Sequence, residues 1–305
     1  MILLGILLLL GMGCARVPPS SDGTPPLGSE QTNEQTPPSE LVQFMVQKER
    51  VEFPTADGVN IVGDYYFSSG GEGGPARQAL GATDPQRSEG MIGGPRGGPA
   101  ILLLHMMPAA RQSYAEFADR LVRAGYRALA IDFRGHGDSV RQCKMQNVEC
   151  RMDDYEVLDY RDFADAEQQA KILDVRAAVK WLEQNKGVTK DRLALVGASI
   201  GANLTLQYLA ENPEVPAAVL LSPGLDYRGV RTSPLAQLVK PSQALYFAAS
   251  ADDAYSLGTN RALFAVTPAK RQIKEFQTAG HGTTMLEREP AFIGEAIEWI
   301  RSQLK

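Results

Sequence analysis

Histidine, cysteine and tryptophan are scarce in this chain: 305 residues contain three histidines, three cysteines and two tryptophans. There is no lysine- or arginine-rich run, and the formal net charge is −5, so the composition gives no indication of nucleic-acid binding. A mean hydropathy of −0.20 excludes a polytopic membrane protein. No glycine-rich phosphate loop precedes a helix and no histidine–cysteine cluster occurs, so we expect neither a cofactor nor a metal.

The longest apolar run is residues 2–12, followed by Gly13, Cys14 and Ala15. It is too short to span a bilayer but has the length of a signal-peptide core. The segment around Cys14 resembles the lipobox of bacterial lipoproteins, although the usual basic residue and the usual leucine are missing. We therefore predict a signal peptide over residues 1–14, lipidation of Cys14 and an extracytoplasmic, membrane-anchored protein. A signal without lipid, giving a secreted or periplasmic protein, and a chance match are the alternatives.

The other two cysteines, Cys143 and Cys150, form an even pair. In an oxidising compartment this spacing favours a small disulfide-closed loop. Two free thiols in a loop remain the alternative.

Composition divides the chain into a tether and a folded part. Residues 15–40 are rich in Pro, Ser, Thr and Gln and predict a disordered tether, whereas residues 41–305 predict one folded domain. Within that domain, residues 68–99 contain so many glycines and prolines that we expect an irregular surface excursion. The sequence assigns no role to this segment and leaves the oligomeric state open.

Short apolar runs alternate with helix-like segments after residue 100, a pattern typical of a parallel sheet covered by helices on both faces. A hairpin at Asp57-Gly58 precedes them. The predicted strands are 46–53, 59–66, 101–105, 128–133, 193–196, 218–221, 245–249 and 273–277, and the predicted helices are 113–124, 162–184, 202–210 and 290–304.

The segment Gly197-Ala198-Ser199-Ile200-Gly201 lies between a predicted strand and a predicted helix. This context is that of a G-x-S-x-G nucleophile elbow, a sharp turn that holds a serine in a strained conformation. Glycines flank the serine because a Cβ at those positions would clash. Ser199 is therefore the candidate nucleophile.

A serine nucleophile needs a base and an acid that orients the base, in the chain order serine, acid, histidine. His281 is the only histidine downstream of Ser199 and follows the last predicted strand, whereas His105 and His136 lie upstream and are expected to be structural. The acid is expected after strand 245–249, where Asp253 is favoured and Asp252 is the alternative. Asp226 or another group remains a further possibility.

The oxyanion hole requires two backbone N–H donors. Ile200, directly after the nucleophile, supplies one candidate. The other is expected in the loop after strand 101–105, where Met107 is our choice and Met106 its neighbour. Both methionines are also candidates for simple packing beneath the site.

Five segments in order, LLLH, AIDFRGHGDS, LVGASIGAN, FAASADDAY and AGHGTTML, resemble motifs of the α/β-hydrolase family between residues 100 and 305. The segment LSPGLDYRG is similar to the dienelactone-hydrolase-like and small carboxylesterase branch. That branch's named enzyme uses a cysteine nucleophile, whereas this chain has Ser199. Met106 replaces the glycine usual after His105, and Ser250-Ala251 replace the usual Gly-x of the acid turn.

The resemblance implies an α/β-hydrolase fold without a large cap domain, because only residues 222–243 separate two predicted strands where cap domains are usually inserted. A cover from residues 140–161 is expected instead. The implied activity is hydrolysis of small or medium carboxylic esters through an acyl-enzyme, by Ser199, His281 and Asp253. Amide or thioester cleavage, perhydrolysis and a non-catalytic binding lipoprotein are the alternatives.

Overall fold

The computed structural model describes residues 45–69, 98–143 and 155–304, and all of them lie in one compact unit, residues 42–305. Their strands are, in chain order, β1 (Val46–Pro54), β2 (Val59–Ser68), β3 (Ala100–Leu104), β4 (Arg127–Ile131), β5 (Arg141–Cys143), β6 (Tyr155–Val157), β7 (Leu193–Ala198), β8 (Ala217–Leu221), β9 (Asp226–Tyr227), β10 (Val230–Arg231), β11 (Ala244–Ser250) and β12 (Lys270–Phe276). The helices are α1 (Ala115–Arg123), α2 (Asp165–Ala170), α3 (Ile172–Lys186), α4 (Ile200–Glu211), α5 (Thr232–Leu238), α6 (Ala254–Val266), α7 (Thr284–Arg288) and α8 (Ala291–Gln303).

Ten of these strands form one mixed sheet in the order β12-β11-β8-β7-β3-β4-β2-β5-β6, with β1 paired to β2. The six strands from β12 to β4 are parallel, and β1, β2, β5 and β6 pair antiparallel at one side. Strands β9 and β10 form a separate hairpin. Because the six central strands run in one direction, the loops that follow them meet at the same edge of the sheet.

The central strands are continuous apolar runs because both of their faces are covered. Every residue of β3, β7, β8 and β11 is buried. Along β3, Leu102 and Leu104 belong to one core cluster, with α3 and α4, while Ile101 and Leu103 belong to the other, with α1 and α8. Alternate side chains thus point to opposite faces, and the two clusters hold the helices against the sheet.

The edge strand β12 has a different composition. Its sequence KRQIKEF is largely exposed or half-buried. Charged side chains on an edge strand discourage pairing with another chain. Because the charged residues at its start do not form an apolar run, the sequence predicted that this strand begins at residue 273 rather than at Lys270.

The predicted α/β-hydrolase fold is confirmed, with differences in individual elements. The predicted helix 162–184 divides into α2 and α3 at Lys171, whose side chain is completely buried. The sequence analysis missed α6, because Gly258, Thr259 and Asn260 are weak helix formers at its centre. It also missed the β9–β10 hairpin and α5, which follow β8.

Several sequence predictions fall outside the described residues. The signal peptide, Cys14 and the tether lie within residues 1–44, most of the irregular excursion lies within residues 70–97, and Cys150 lies within residues 144–154. Cys143 is disulfide-bonded. Within the described ranges, none of the helices combines the length and the apolar character needed to cross a membrane.

Candidate active site

The nucleophile elbow is formed where β7 ends and α4 begins. Ser199 has φ 54° and ψ −121°, a strained conformation for a residue with a side chain, and is 7 % exposed. A Cβ built on Gly197 would overlap the Gly201 carbonyl and the Thr205 hydroxyl, and one on Gly201 would overlap the Leu104 carbonyl. The two glycines are therefore required because the turn brings backbone against backbone. The Ser199 amide donates to the Leu221 carbonyl at 2.8 Å, which ties the turn to β8.

His281 and Asp253 meet at the same edge of the sheet. His281 follows β12 and Asp253 follows β11, and the imidazole Nδ1 donates to Asp253 Oδ2 at 2.6 Å. Asp253 Oδ1 also accepts the Ser256 amide at the start of α6. Burial raises the pKa of Asp253, but the hydrogen bonds from His281 and Ser256 outweigh it and leave the pKa below its ordinary value. An ionised carboxylate thus fixes the imidazole with its proton on Nδ1, and Nε2 carries a free lone pair.

The loop that carries His281 packs against the elbow. A Cβ built on Gly282 would lie 3.5 Å from the Ala198 Cβ and 2.5 Å from Met106 Sδ. The Gly282 amide donates to Ser222 Oγ at 3.0 Å, and Ser222 directly follows β8. The residues next to Ser199 and His281 are therefore in close contact.

Within the described residues, no direct hydrogen bond joins the Ser199 hydroxyl to His281. The Ser199 hydroxyl instead interacts with the phenol of Tyr227, whose ring lies 6.2 Å from the imidazole at an interplanar angle of 87°. Catalytic hydrogen bonds in a free enzyme are often long and tighten only with substrate. The nucleophile and the imidazole of the His281–Asp253 pair thus both lie next to the Tyr227 side chain.

The two candidate oxyanion donors lie at the same edge of the sheet. Ile200 is the first residue of α4, and Met107 lies in the loop after β3. Neither amide donates to an acceptor among the described residues. An unpartnered amide at a helix N-terminus and a second one in the adjacent loop are the donor types that stabilise a developing oxyanion.

His105 fixes the backbone of the loop after β3. It is completely buried, its Nε2 accepts the Phe133 amide at 3.0 Å, and its Nδ1 donates to the Met106 carbonyl at 2.8 Å. Burial and the neighbouring His136 lower the pKa of His105 well below its ordinary value. A neutral imidazole with one donor and one acceptor therefore positions the Met106–Met107 backbone.

The far end of the loop is anchored by Arg111. Its amide donates to Asp132 Oδ1 at 2.7 Å, and its guanidinium pairs with Asp132, with Asp64 at 3.1 Å and with Asp138 at 2.8 Å. The Arg111 side chain is 6 % exposed. Two anchors, His105 and Arg111, thus enclose the segment that contains Met107.

The structure places the alternative acids elsewhere. Asp252 accepts the Gly280 amide at 3.0 Å and lies 3.4 Å from an Arg288 nitrogen, on the outside of the histidine loop. Asp226 accepts the Gly229 amide within the β9–β10 hairpin at 2.7 Å. In the described part of the chain, neither carboxylate contacts His281.

His136 is buried beside the site without joining it. Its Nδ1 donates to the Arg134 carbonyl at 3.0 Å, and its ring stacks on Tyr160 at a centroid distance of 4.0 Å. Burial lowers its pKa to about 3. His136 is thus neutral and orders the loop after β4. In the described part of the chain, no group of three His, Cys, Asp or Glu residues is arranged to hold a metal ion.

Sequence reasoning missed Tyr227. It lies in the segment LSPGLDYRG, six residues after the end of Ala217–Leu221, but no role was assigned to it. The available signal was a polar side chain shortly after the carboxyl end of a parallel strand, where ligands meet open α/β sheets. Its contact with Ser199 depends on the β9–β10 hairpin, which the sequence did not predict.

The chain is similar to known hydrolases in sequence and fold. Residues 98–250 match the model of the family described as serine aminopeptidase, S33. An esterase of Pyrococcus furiosus superposes with a TM-score of 0.56 at 17% identity, covering 85% of this chain and 91% of that one. A dienelactone hydrolase of Anabaena variabilis superposes with a TM-score of 0.58 at 18% identity, covering 85% and 99% of the two chains. A putative dienelactone hydrolase of Klebsiella pneumoniae gives 0.57 at 16% identity, covering 85% and 98%.

Proposed function

Because the chain belongs to the serine aminopeptidase S33 family of hydrolases, we propose that it cleaves carboxylic esters of small or medium acyl groups through an acyl-enzyme. One observation carries the proposal. A serine in a strained elbow and an imidazole that is hydrogen-bonded to Asp253 at 2.6 Å both neighbour the Tyr227 side chain.

The proposed mechanism follows from the proton positions. His281 carries its proton on Nδ1, toward Asp253, so Nε2 accepts the Ser199 proton as Oγ attacks the ester carbonyl. The carbonyl oxygen becomes an oxyanion, which the Ile200 and Met107 amides stabilise. The imidazolium then protonates the departing alcohol, and a water molecule, activated by the same imidazole, releases the acid from Ser199.

The surroundings support a small or medium substrate. A cavity of about 280 Å³ adjoins Pro108, next to the proposed oxyanion donor, and its lining combines apolar side chains with polar and charged ones: Val140, Val157, Leu158, His136, Asp159, Tyr160 and Arg161. The segment between β8 and β11 contributes only a short hairpin and a seven-residue helix, so no large helical cap covers the edge there. The similar folds described as esterase and dienelactone hydrolases also favour ester chemistry.

A second candidate is hydrolysis of a peptide or another amide. The family description, serine aminopeptidase, favours it, and the same three side chains perform both reactions. Aminoacyl anilides assayed beside p-nitrophenyl esters distinguish the two, because the esterase proposal expects the larger kcat/KM on the esters.

Fluorophosphonate labelling tests the proposed nucleophile. We expect the wild-type protein to be labelled and to hydrolyse p-nitrophenyl acetate, and Ser199→Ala to lose labelling and at least about 10³-fold in kcat. Ser302→Ala is the matched control, because Ser302 lies exposed near the end of α8 and donates only to the Trp299 carbonyl. A folded wild-type protein that resists the probe would instead support the non-catalytic binding role.

We also propose the location that the N-terminal sequence predicts. A lipid at Cys14 would anchor the protein to a membrane on its extracytoplasmic side. The disulfide bond of Cys143 is consistent with an oxidising compartment.

A further inference from the structure

Tyr227 is a polar side chain in the candidate site, and the proposed mechanism assigns it no role. It ends β9 in the hairpin that follows β8, and its phenol interacts with the Ser199 hydroxyl. Its ring stands perpendicular to the His281 imidazole, 6.2 Å away between centroids. The side chain therefore lies next to both the nucleophile and the base.

The position of the phenol is fixed from several sides. A Cβ built on Gly224 would lie 2.6 Å from the Tyr227 ring, so the backbone at Gly224 packs directly on it. The phenol oxygen is 3.2 Å from Ser256 Oγ, and the Ser256 amide donates to Asp253. Tyr255 packs against the ring edge at 5.8 Å. Tyr227 thus contacts the first turn of α6, and the Ser256 amide of the same turn also binds the Asp253 carboxylate.

Strand order determines the side from which the phenol approaches. In the sheet, β7 lies between β3 and β8. Met107 follows β3 and Tyr227 follows β8, so the phenol and the proposed oxyanion donor reach Ser199 from opposite sides. His281 and Asp253 follow β12 and β11, on the side of Tyr227. The phenol therefore approaches Ser199 from the side of the strands that precede Asp253 and His281, and Met107 lies on the other side of β7.

The phenol has the hydrogen-bonding capacity for a second role. A tyrosine hydroxyl has one proton to donate and lone pairs with which to accept. It can accept from Ser256 while it donates to an oxygen near Ser199. Burial raises the pKa of Tyr227, which keeps the phenol protonated and able to donate at neutral pH.

We propose, building on the ester hydrolysis proposed above, that Tyr227 is a further catalytic residue whose phenol donates a hydrogen bond to the departing oxygen of the ester. As the bond between the acyl carbon and that oxygen breaks, its electron pair moves to the oxygen. The imidazolium of His281 supplies the proton that the oxygen takes up. The phenol keeps its own proton throughout and stabilises the negative charge that builds on the oxygen before protonation is complete.

The dependence on the leaving group tests this role. A p-nitrophenolate departs readily without assistance, whereas an alkoxide needs it. We expect Tyr227→Phe to keep kcat/KM for p-nitrophenyl acetate within about threefold and to lose about 10- to 100-fold for an alkyl acetate, the loss expected for a hydrogen bond to a charged group. Because kcat/KM reports only steps up to acylation, slow deacylation does not mask the effect.

Tyr255→Phe is the matched control. It removes the hydroxyl of the neighbouring tyrosine. That hydroxyl bonds to the Asp226 backbone and does not contact Ser199. We expect no selective change with the leaving group. Equal losses on both esters in Tyr227→Phe, or no loss on either, would overturn the proposed role of Tyr227 alone. A wild-type protein inert toward both esters and toward the fluorophosphonate would overturn the ester hydrolysis as well.

Discussion

Asp252 and Asp253 are adjacent in the chain, yet their carboxylates have different partners. Asp253 binds the imidazole at 2.6 Å and its side chain is 15 % exposed, whereas Asp252 is on the outside of the loop near Arg288. Hydrogen bonds from Ser250 and Gly280 keep the pKa of Asp252 below its ordinary value. Both groups are therefore ionised near neutral pH, and geometry rather than charge distinguishes them.

The two neighbours form a matched pair for mutagenesis. Asp253→Asn keeps the shape of the side chain but removes the charge that fixes the Nδ1 proton of His281. We expect kcat to fall about 10³- to 10⁴-fold, as when the acid of a catalytic triad is replaced by its amide. Asp252→Asn retains an oxygen for the Gly280 amide, and its effect is expected to stay within about threefold. Steady-state assays of p-nitrophenyl acetate measure both, and a larger loss in Asp252→Asn would contradict the assignment.

At the scale of single elements, the elbow is the most constrained turn in the site. The end of β7 and the first turn of α4 approach so closely that a side chain at Gly197 has no room. The helices of the same fold also contain glycines with no such constraint. Gly258 in α6 and Gly294 in α8 are exposed, and a Cβ at either would meet nothing within 4 Å.

This contrast predicts opposite effects of one chemical change. Gly197→Ala is expected to lower the free energy of unfolding by about 1–3 kcal/mol through overpacking and to reduce activity by displacing Ser199. Gly258→Ala is expected to raise it by about 0.5–1 kcal/mol, since alanine is the better helix former, and to leave activity unchanged. Urea unfolding with parallel esterase assays measures both. A stabilised, active Gly197→Ala variant would refute the packing argument.

At the scale of the whole molecule, a buried charge cluster joins the helices to the sheet. Arg134, after β4, pairs with Asp174 of α3 at 2.7 Å and with Asp57 of the β1–β2 loop at 2.6 Å. Lys171 lies beside this cluster, completely buried, and donates to Gln168 Oε1 at 2.6 Å. Burial lowers the pKa of Lys171 to about 7, despite the opposing attraction of Asp174.

Lys171 should therefore make stability depend on pH. Between about pH 7 and its ordinary value of 10.5, the unfolded state holds a proton on Lys171 that the folded state has lost. Stability then rises with pH in this range, by at most about 1.4 kcal/mol per pH unit. We expect the wild-type protein to gain this stability relative to Lys171→Met when unfolding is measured by urea titration from pH 7 to pH 9. Lys180→Met, at an exposed position of α3, is the control, and a pH-independent difference for Lys171→Met would exclude the shift.

The sequence by itself determined the order of the fold and the chemistry of its elbow. Buried apolar runs identified β3, β7, β8 and β11, because strands covered on both faces need apolar residues throughout. The two glycines around Ser199 predicted the turn, because the steric requirement that selects them is local. The scarcity of histidines left His281 as the one candidate for the base downstream of Ser199.

Only the tertiary structure decided which side chains meet. The contact of Asp253 rather than Asp252 with His281 depends on how the turn after β11 faces the loop after β12. The contact of Tyr227 with Ser199 depends on a two-residue strand pair too short to leave a periodic pattern. These contacts join residues distant in the chain, and their distances arise from how the loops pack at one sheet edge, which local residue patterns do not encode.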